Sequence, residues 1–383
     1  MTEVKRNRIP RGYDPVDSDR RVEWLKDQKK INIEDVPIDN TEELKGIIEN
    51  HVGYMKLPMA VAGPVDLKGD YAKGEFMVPI CTLEGTLSAS MNRGMYATSL
   101  SGGITTQHYR QELSRAPIFI FDNLKSSKEF QIWIEKNKNE IAKVAESTTK
   151  HGKIIRINQY PIQNYVILDF ILNTGNAAGQ NMVTLAAKVA CDFIQEKTGH
   201  KFFLESNLNS DKKASIRNML LGRGHGVIAE TTISSSVMNR VLGVDLEQLN
   251  KYWTFFPIVS NMAGTIGNGI HISNALTAIY LATGQDTACV AENSIGHFEI
   301  NEVDDGLSFR LTLPSLTIGT VGGGTRLNQQ QRNLKILGCT DEPDSSKKLA
   351  EIIAGATLSL EISLLSAIAS HTWTSAHMKY GRK

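Results

Sequence analysis

Apolar residues recur at helical spacing in some segments of this chain and alternate with polar residues in others. They fall every three to four positions from Asn181 to Lys197, and Gly199 follows, so this spacing predicts an amphipathic helix with a glycine cap. The alternation from Leu307 to Leu313 predicts a strand. The same criteria predict strands at Ile118 to Phe121, Tyr165 to Leu172 and around Gly226 to Ala229. They predict helices that follow Glu84 and run to Ser101, that cover Ser126 to Ala145 and Ile270 to Thr283, and that fill the remainder up to about Ser370.

Helices and strands are therefore mixed along the chain, which predicts an α+β fold. Residues 1–40 are polar and rich in arginine, as is typical of an arm or a helical cap. We assign residues 41–116 and 204–383 to a large domain of mixed helices and sheet. Residues 117–203 have a different character, and we assign them to a small, compact α+β insert.

The charge balance and the cysteines narrow the class of protein. Of the 383 residues, 42 are Lys or Arg and 41 are Asp or Glu, so the net charge is +1, which argues against a nucleic-acid or membrane-surface partner. The four cysteines are far apart, which indicates no metal site or disulfide framework and fits a cytoplasmic protein. We expect no signal peptide and no run of the roughly 18 apolar residues that a membrane span requires.

One carboxylate, Glu84, lies between an apolar segment and a run of small residues that ends at Gly94. Small neighbours allow backbone to pack closely around a carboxyl group and keep water from it. Such an environment disfavours the ionised form and raises a pKa toward the range useful for proton donation. Glu84 is therefore a candidate general acid.

Two glycine-rich junctions each lie between a predicted strand and a helix. They are Gly319 to Thr325, which contains Val321, Gly322, Gly323 and Gly324, and Gly175 to Gly179, which contains Asn176. Such a junction presents backbone N–H groups and a helix dipole to a phosphate, although a tight packed turn explains three glycines equally well. Ser147 to Lys150 adds hydroxyls beside a cation, although a lysine there is more often a surface residue.

Three other charged positions have both a chemical and a structural explanation. Asp211, Lys212 and Lys213 form a charge cluster, a pattern more typical of a solvated surface. Asp286 follows Gly284 at the end of a predicted helix, where a simple turn residue is the ordinary interpretation. His377 lies in the C-terminal tail and, considered alone, is most simply an exposed residue.

Taken together, these signals resemble a known family. The motifs and their order are Val61-Ala62-Gly63-Pro64, Leu83-Glu84-Gly85, Asn92-Arg93-Gly94, Ser210-Asp211-Lys212-Lys213, Gly284-Gln285-Asp286, Ile318 to Thr325 and Ala376-His377-Met378. From about Glu49 to Met378, the chain resembles the catalytic portion of the 3-hydroxy-3-methylglutaryl-CoA reductases. The Asp-Lys-Lys motif resembles the class I branch of that family.

The resemblance implies a large thioester-binding domain, a small ferredoxin-like α+β insert that binds NADP, and an active site between subunits of a homodimer or homotetramer. The implied reaction is the NADPH-dependent reduction of a coenzyme A thioester to mevalonate, a step of isoprenoid biosynthesis. The implied catalytic residues are Glu84, Lys212, Asp286 and His377. The implied substrate-binding residues are Asn92, Arg93, Arg115, Asp211, Lys213 and Asn274. The implied cofactor-binding residues are Thr149, Lys150, Asn176, Gly179, Gln180, Asn181, Val321, Gly322, Gly323 and Gly324.

Departures from the family pattern keep other substrates open. Phe255 stands where the family has a lysine against the substrate carboxylate, and Glu205 stands where it has a serine. An added acid and a lost cation weaken attraction for an acyl group that carries a carboxylate. Another acyl-CoA or a carrier-protein thioester is therefore an alternative substrate. The family's NADP-binding loop usually begins with an aspartate, where this chain has Asn176, and this change leaves a non-catalytic NADP-binding protein as a third hypothesis.

Overall fold

The computed structural model describes residues 9–11, 14–29, 41–340 and 342–373. The strands are β1 (Met59–Lys68), β2 (Lys73–Cys81), β3 (Ile104–Arg115), β4 (Ile118–Ile120), β5 (Lys153–Ile162), β6 (Tyr165–Asn173), β7 (Phe202–Phe203), β8 (Gly224–Ser234), β9 (His297–Val303) and β10 (Gly306–Leu316). The α-helices are α1 (Pro15–Lys29), α2 (Leu87–Leu100), α3 (Leu124–Glu146), α4 (Gln180–Thr198), α5 (Ile216–Leu221), α6 (Ser235–Val237), α7 (Leu246–Met262), α8 (Ile272–Thr283), α9 (Val290–Asn293), α10 (Asn328–Ile336) and α11 (Ser345–Ala369). Short 3-10 helices cover Thr41–Leu44, Thr287–Cys289 and Gly323–Arg326, and a π-helix covers Met238–Leu242.

The largest part of the sheet supports the large core. Strand β10 pairs antiparallel with β8 and β9, β8 pairs antiparallel with β3, and β1 pairs with both β2 and β3. The alternating apolar residues of β10, from Leu307 to Leu313, are fully buried, as a strand with one face on the core requires. The predicted strand and the predicted α+β class are thus confirmed.

Helix α11 runs through the middle of this core. It is rich in apolar and small residues and is buried along almost its whole length. The expectation that no segment is long and apolar enough to cross a membrane was wrong, because α11 meets both criteria. However, 94% of its most apolar window is buried inside the protein, as in a core helix. The sheet and the other helices cover the apolar surface of α11.

Helices α2 and α11 cross at Gly94. A Cβ atom at this position would overlap the carbonyl group of Ser359 on α11, so the backbones meet where a side chain is absent. This contact orients the start of α2, which follows the loop that carries Glu84. The close packing of α2 on α11 therefore contributes to the position of the candidate acid.

We predict that Gly94→Ala destabilises the fold by about 3 kcal/mol, because the methyl group forces two buried helices apart. Thermal unfolding of the variant and of Ala89→Ser, a small change at an exposed position of α2, measures the effect. Equal melting temperatures for the two variants would contradict the close contact.

A second hydrophobic core is built on the other part of the sheet. Strand β6 pairs with β5 on one side, and with β4 and the end of β3 on the other, all antiparallel. Helices α3 and α4 supply apolar side chains to this core, including Phe130, Ile134 and Ile194. Its residues all lie between Leu113 and Ile194, so a separate core forms around the segment with the altered composition.

The observed helices begin and end close to the predicted positions, with one instructive difference. The amphipathic helix predicted at Asn181 to Lys197 is α4, and it ends at Gly199 in the left-handed conformation. The helix predicted from Ile270 begins instead at Ile272. The backbone N–H groups of Ile270 and His271 donate to the carboxylate of Glu361 on α11, which draws this segment out of the helix.

Helix α1 lies in the segment assigned to an arm or cap. The fully buried Arg21 donates from Nε to the carbonyl oxygen of His51 at 2.7 Å. Ser18 donates to the same carbonyl at 3.3 Å. The helix therefore packs on the part of its own chain that leads into β1.

Candidate active site

Lys212 and Asp286 form an ion pair at the centre of the candidate site. Lys212 Nζ lies 2.8 Å from Asp286 Oδ2, and both side chains are slightly under half exposed. The hydrogen bond with Asp286 raises the pKa of Lys212 above its usual range, so the ammonium form is favoured. Asp286 also accepts from the Ala288 backbone N–H at 3.0 Å and thereby caps the 3-10 helix that follows. Two positions 74 residues apart in sequence thus meet as a cation and its orienting carboxylate.

Glu84 lies elsewhere on the surface. Its carboxylate accepts from Asn274 Nδ2 at 3.0 Å, and together they line a cavity of about 300 Å³ with Leu83, Ser273 and Thr277. The small residues expected to enclose Glu84 do not do so, because they lie in α2 behind it and leave the carboxylate exposed. Within the part of the chain that the structure describes, no group encloses this carboxylate and excludes water from it.

Helix α8 separates Glu84 from the ion pair. Asn274, which binds Glu84, is in its first turn, whereas Asp286 follows its C-terminal cap, Gly284. The axis from Asn274 to Thr283 alone is about 14 Å long at ~1.5 Å per residue. Among the described residues, no hydrogen bond or ion pair joins Glu84 to Lys212 or Asp286. One chain therefore presents two half-sites at opposite ends of α8.

A network of charges continues from the lysine end of the site. Arg115 is paired with Glu205, and its second nitrogen lies 3.5 Å from Asp211. The Lys213 ammonium donates to the carbonyl oxygen of Asp211 at 2.8 Å. Arg115 is largely buried while Glu205 is partly exposed. The guanidinium of Arg115 thus already has a carboxylate partner from the chain itself.

The two glycine junctions meet beside the ion pair. Ala177 and Val321 form a parallel bridge, and the Thr320 N–H donates to the carbonyl oxygen of Asn176 at 2.8 Å. A Cβ atom at Gly319 would overlap the backbone of Ala178, so this approach requires glycine.

Gln285 connects this junction to the catalytic end of α8. Its amide donates to the carbonyl oxygen of Gly319 and accepts from the Gly319 N–H, both at 2.9 Å. Because Asp286 follows directly in sequence, the glycine junction and the ion pair have a fixed spatial relation. Gly284 packs against Gly324 on the same side.

Helix α4 begins at this meeting point. Its N-cap, Gly179, provides no side-chain hydrogen bond, and the Gln180 side chain donates to Cys289 Sγ at 3.0 Å. Thr149 lies in a turn packed against Met182, where its hydroxyl accepts from two backbone N–H groups. Lys150 and Asn181 are exposed at this end of the helix. A helix N-terminus with a neighbouring lysine and glycine backbone suits phosphate groups.

Three predicted binding residues use their side chains for internal contacts. Asn92 accepts from the Gly63 N–H at 2.8 Å, and Arg93 donates from Nε to Ser363 at 3.0 Å. The Asn176 side chain accepts from the Ser346 N–H at 3.1 Å, at the start of α11. His377 lies outside the described residues.

The sequence interpretation missed two buried charges behind Lys212. Arg223 and Glu292 are both fully buried, and Arg223 Nε lies 3.1 Å from Glu292 Oε2. Glu292 is only six residues after Asp286, which is the one signal that places it near the site. Nothing in the sequence around Arg223 marks this arginine as the partner of Glu292.

Glu361 contacts the backbone just before α8, the helix that carries Asn274 of the Glu84 half-site. It is fully buried and accepts from the N–H groups of Ile270 and His271 at 2.5 and 2.8 Å, just before the helix that carries Asn274. Burial raises the pKa of Glu361 to about 7. The folded state therefore binds a proton that the unfolded state releases near pH 4.5.

We predict that this carboxyl group makes the fold less stable as the pH rises. A raised folded-state pKa contributes stability that is fully present below about pH 4.5 and is lost as the pH rises through about 7. Glu361→Gln removes this contribution, so the free energies of unfolding of the variant and the parent should change relative to each other by about 3 kcal/mol between pH 4.5 and 7. Urea unfolding at several pH values measures it, and parallel profiles would contradict it.

Together, the fold and the site define an α+β enzyme in which a lysine–carboxylate pair adjoins two joined glycine-rich junctions. The sequence model for hydroxymethylglutaryl-coenzyme A reductase matches residues 17–382. The 3-hydroxy-3-methylglutaryl-coenzyme A reductase of Methanocaldococcus jannaschii is 38% identical over 370 residues, which are 93% of this chain and 91% of that protein. The 3-hydroxy-3-methylglutaryl-coenzyme A reductase of Pyrococcus horikoshii is 40% identical over 355 residues, which are 90% of this chain and 86% of that protein. This chain belongs to the hydroxymethylglutaryl-coenzyme A reductase family.

Solved structures agree at the level of the fold. The class II 3-hydroxy-3-methylglutaryl-CoA reductase from Streptococcus pneumoniae bound to NADPH superimposes with a TM-score of 0.69 at 20% identity. The match covers 92% of this chain and 97% of that one. The arrangement of helices and strands is therefore shared across nearly the whole chain.

Proposed function

We propose that this protein reduces 3-hydroxy-3-methylglutaryl-CoA to mevalonate and coenzyme A, with oxidation of two NADPH. The observation that carries the proposal is the Lys212–Asp286 ion pair beside the two joined glycine junctions. The ion pair supplies a fixed cation for a carbonyl oxygen, and the glycine junctions supply backbone N–H groups for phosphate. A nucleotide-dependent carbonyl reduction requires both. Relatives that carry this name and match over most of their length support the same activity.

Bound NADPH would supply the hydride. The residues suited to hold it are the N-terminal turn of α4 with Gly179 and Asn181, the backbone from Val321 to Gly324, and the cation of Lys150 near Thr149. The would-be Cβ positions of Gly322 and Gly323 face open space, so a phosphate can approach this backbone closely. These features support NADPH as the cofactor.

Lys212 would stabilise the oxyanion that develops when the thioester carbonyl accepts a hydride. Its ammonium is a preorganised charge, because Asp286 holds it at 2.8 Å. Glu84 would then donate the proton that converts the oxyanion of the second reduction to an alcohol. We assign protonation of the departing thiolate to His377, whose ordinary pKa near 6.5 suits that step.

We further infer that the active site is completed between two copies of this chain. The separation of the Glu84 and Lys212 half-sites by the length of α8 supports this arrangement, because neither half has the full set of catalytic groups. A C2 dimer would bring unlike ends of two chains together and form two equal sites. The mass in solution is then at least twice the 42.3 kDa of one chain, as light scattering would measure.

A direct assay tests the proposed reaction. Purified protein is mixed with NADPH and 3-hydroxy-3-methylglutaryl-CoA, and both cofactor absorbance and free thiol are followed. Consumption of two NADPH per thiol released supports the proposal. Binding of NADPH without turnover of this substrate would contradict it.

The pairing of Arg115 with Glu205 favours a second candidate substrate. A carboxylate of the chain already neutralises this guanidinium, so an acyl group without its own carboxylate suits the site better than a charged one. Phe255, exposed at 47%, stands where the family pattern has a lysine against the substrate carboxylate, so that cation is missing as well. Comparison of kcat/KM for 3-hydroxy-3-methylglutaryl-CoA with that for neutral acyl-CoA and carrier-protein thioesters separates the candidates, since the second requires the neutral substrates to react faster.

The two hydrophobic cores support an assignment of separate roles to two parts of the chain. We infer that residues 117–203 form the cofactor-binding insert and residues 41–116 and 204–383 the thioester-binding domain, which the separate core between Leu113 and Ile194 supports. We infer a cytoplasmic location, supported by the free thiols of Cys81, Cys191, Cys289 and Cys339.

A further inference from the structure

The backbone of Lys212 is held in an uncommon conformation. Its φ angle is 58°, in the left-handed region that a residue with a long side chain adopts only when its surroundings impose it. The position of its ammonium follows from that backbone. A group that fixes this peptide therefore also fixes the direction in which the ammonium points.

Glu292 is the group that meets this peptide. The Lys212 N–H donates to Glu292 Oε2 at 2.6 Å, and the same oxygen lies 3.1 Å from Arg223 Nε. Glu292 and Arg223 are both completely buried, so water does not compete for these contacts. A charged acceptor in a dry environment makes a stronger hydrogen bond to backbone than a neutral one.

The other oxygen of Glu292 reaches the strand that leads into the glycine junction. The Thr317 hydroxyl donates to Glu292 Oε1 at 2.5 Å, and Thr317 is two residues before Gly319. Arg223 also lies 3.0 Å from Asp211, the residue before Lys212, and donates to the Ser114 carbonyl oxygen at 2.8 Å. One buried ion pair thus connects the lysine loop, the end of β10 and the segment that follows Asp286.

We propose that Glu292 is a positioning residue that holds Lys212 against Asp286, with Arg223 as the counter-ion that keeps its carboxylate in place. The inference rests on the proposed catalytic role of Lys212. A buried ion pair is often no more stabilising than apolar residues of the same size, so its value here lies in geometry. Among the described residues, no hydrogen bond or ion pair joins the Glu292 carboxylate to the Lys212 ammonium or to Asp286, and Glu292 contacts the lysine through its peptide N–H.

Glu292→Asp tests the proposal. It retains the charge but withdraws the carboxylate by about 1.5 Å, one carbon–carbon bond, so that it cannot reach Arg223 and Lys212 together. We expect kcat per NADPH-binding site to fall about 100-fold, as for other displacements of this size, with the KM for NADPH unchanged. Glu351→Asp is the matched control, because Glu351 is also fully buried and also accepts backbone N–H groups, at Asp70, Tyr71 and Ala72.

A milder variant covers the case in which Glu292→Asp does not fold. Thr317→Val removes the hydroxyl that orients Glu292 and leaves the ion pair intact. We expect a fall in kcat of about tenfold with unchanged NADPH affinity, the effect of losing one hydrogen bond to a buried charge. Normalising the rate to the number of NADPH sites removes the contribution of unfolded protein, so a purely structural role would leave kcat unchanged.

The outcomes separate this inference from the proposed function. If Lys212→Ala abolishes turnover while folded Glu292→Asp and Thr317→Val retain kcat within twofold of the parent, Glu292 is not a positioning residue. If Glu351→Asp lowers kcat as much as Glu292→Asp, the effect is general to buried carboxylates and the inference also fails. If Lys212→Ala is itself fully active, the catalytic role of Lys212 is wrong and the inference about Glu292 fails with it, whereas the proposed function fails only if the parent protein does not turn over the substrate.

Discussion

We expect that Lys212→Ala lowers kcat by about 1,000-fold while leaving NADPH binding unchanged, because it removes the preorganised cation from the carbonyl oxygen. The ammonium is fixed by Asp286 before substrate binds, so no reorganisation is required as charge develops. Water can replace the charge only in part, since a water molecule is neutral and mobile. Stopped-flow measurement of the first hydride transfer, with NADPH affinity measured separately, tests this.

Lys188→Ala is a suitable control for the loss of a lysine. Lys188 forms an exposed ion pair with Asp192 at 2.6 Å, about 12 Å along the axis of α4 from its first residue, Gln180, and such pairs contribute little to stability. Its activity should equal that of the parent. Turnover by Lys212→Ala at the parental rate would refute the proposed mechanism for any acyl substrate.

We further expect that two inactive variants restore activity when their chains are mixed. In a shared site, Glu84 of one chain works with Lys212 of the other, so a mixed dimer of Glu84→Gln and Lys212→Ala contains one intact site. Random exchange of C2 dimers then gives about a quarter of the parental activity. Denaturation and joint refolding of equal amounts, followed by the NADPH assay, measures this recovery.

Mixing Lys212→Ala with Asp286→Asn is the matched negative control. These two residues form an ion pair within one chain, so every site of such a mixed dimer retains one defect. Recovery with the first pair and not with the second assigns Glu84 to the partner chain. Absence of recovery in both mixtures, with dimers demonstrated by mass, would place the complete site within one chain.

Strongly periodic segments were predictable from sequence, and segments with buried polar residues were not. The predicted helix at Asn181 to Lys197 and the strand at Leu307 to Leu313 correspond to α4 and β10. Strand β3 was missed because its sequence, from Ile104 to Arg115, is polar at many of the positions that the fold buries. Its buried polar residues are satisfied by other elements, as where Ser114 donates to the buried Asp169, and periodicity does not register such partners.

For the candidate site too, the sequence indicated the residue types but not the contacts between them. The residue types and their order marked Glu84, Lys212 and Asp286, because the chemistry of a carboxylate or an ammonium is a property of the residue itself. Contacts between them depend on distant segments: α8 separates Glu84 from Asp286, and Glu292 reaches the Lys212 peptide across 80 residues of chain.

Local sequence thus specified the helices and strands with strong apolar periodicity, the charged residues available for catalysis and the glycines that allow close backbone approach. The fold specified which of these groups meet. It exposed Glu84 where small neighbours suggested enclosure, paired Arg115 with Glu205 and buried Arg223 with Glu292 behind Lys212. The reason is physical: helix and strand periodicity arises from neighbours a few residues apart, whereas burial and charge pairing depend on segments that only packing brings together.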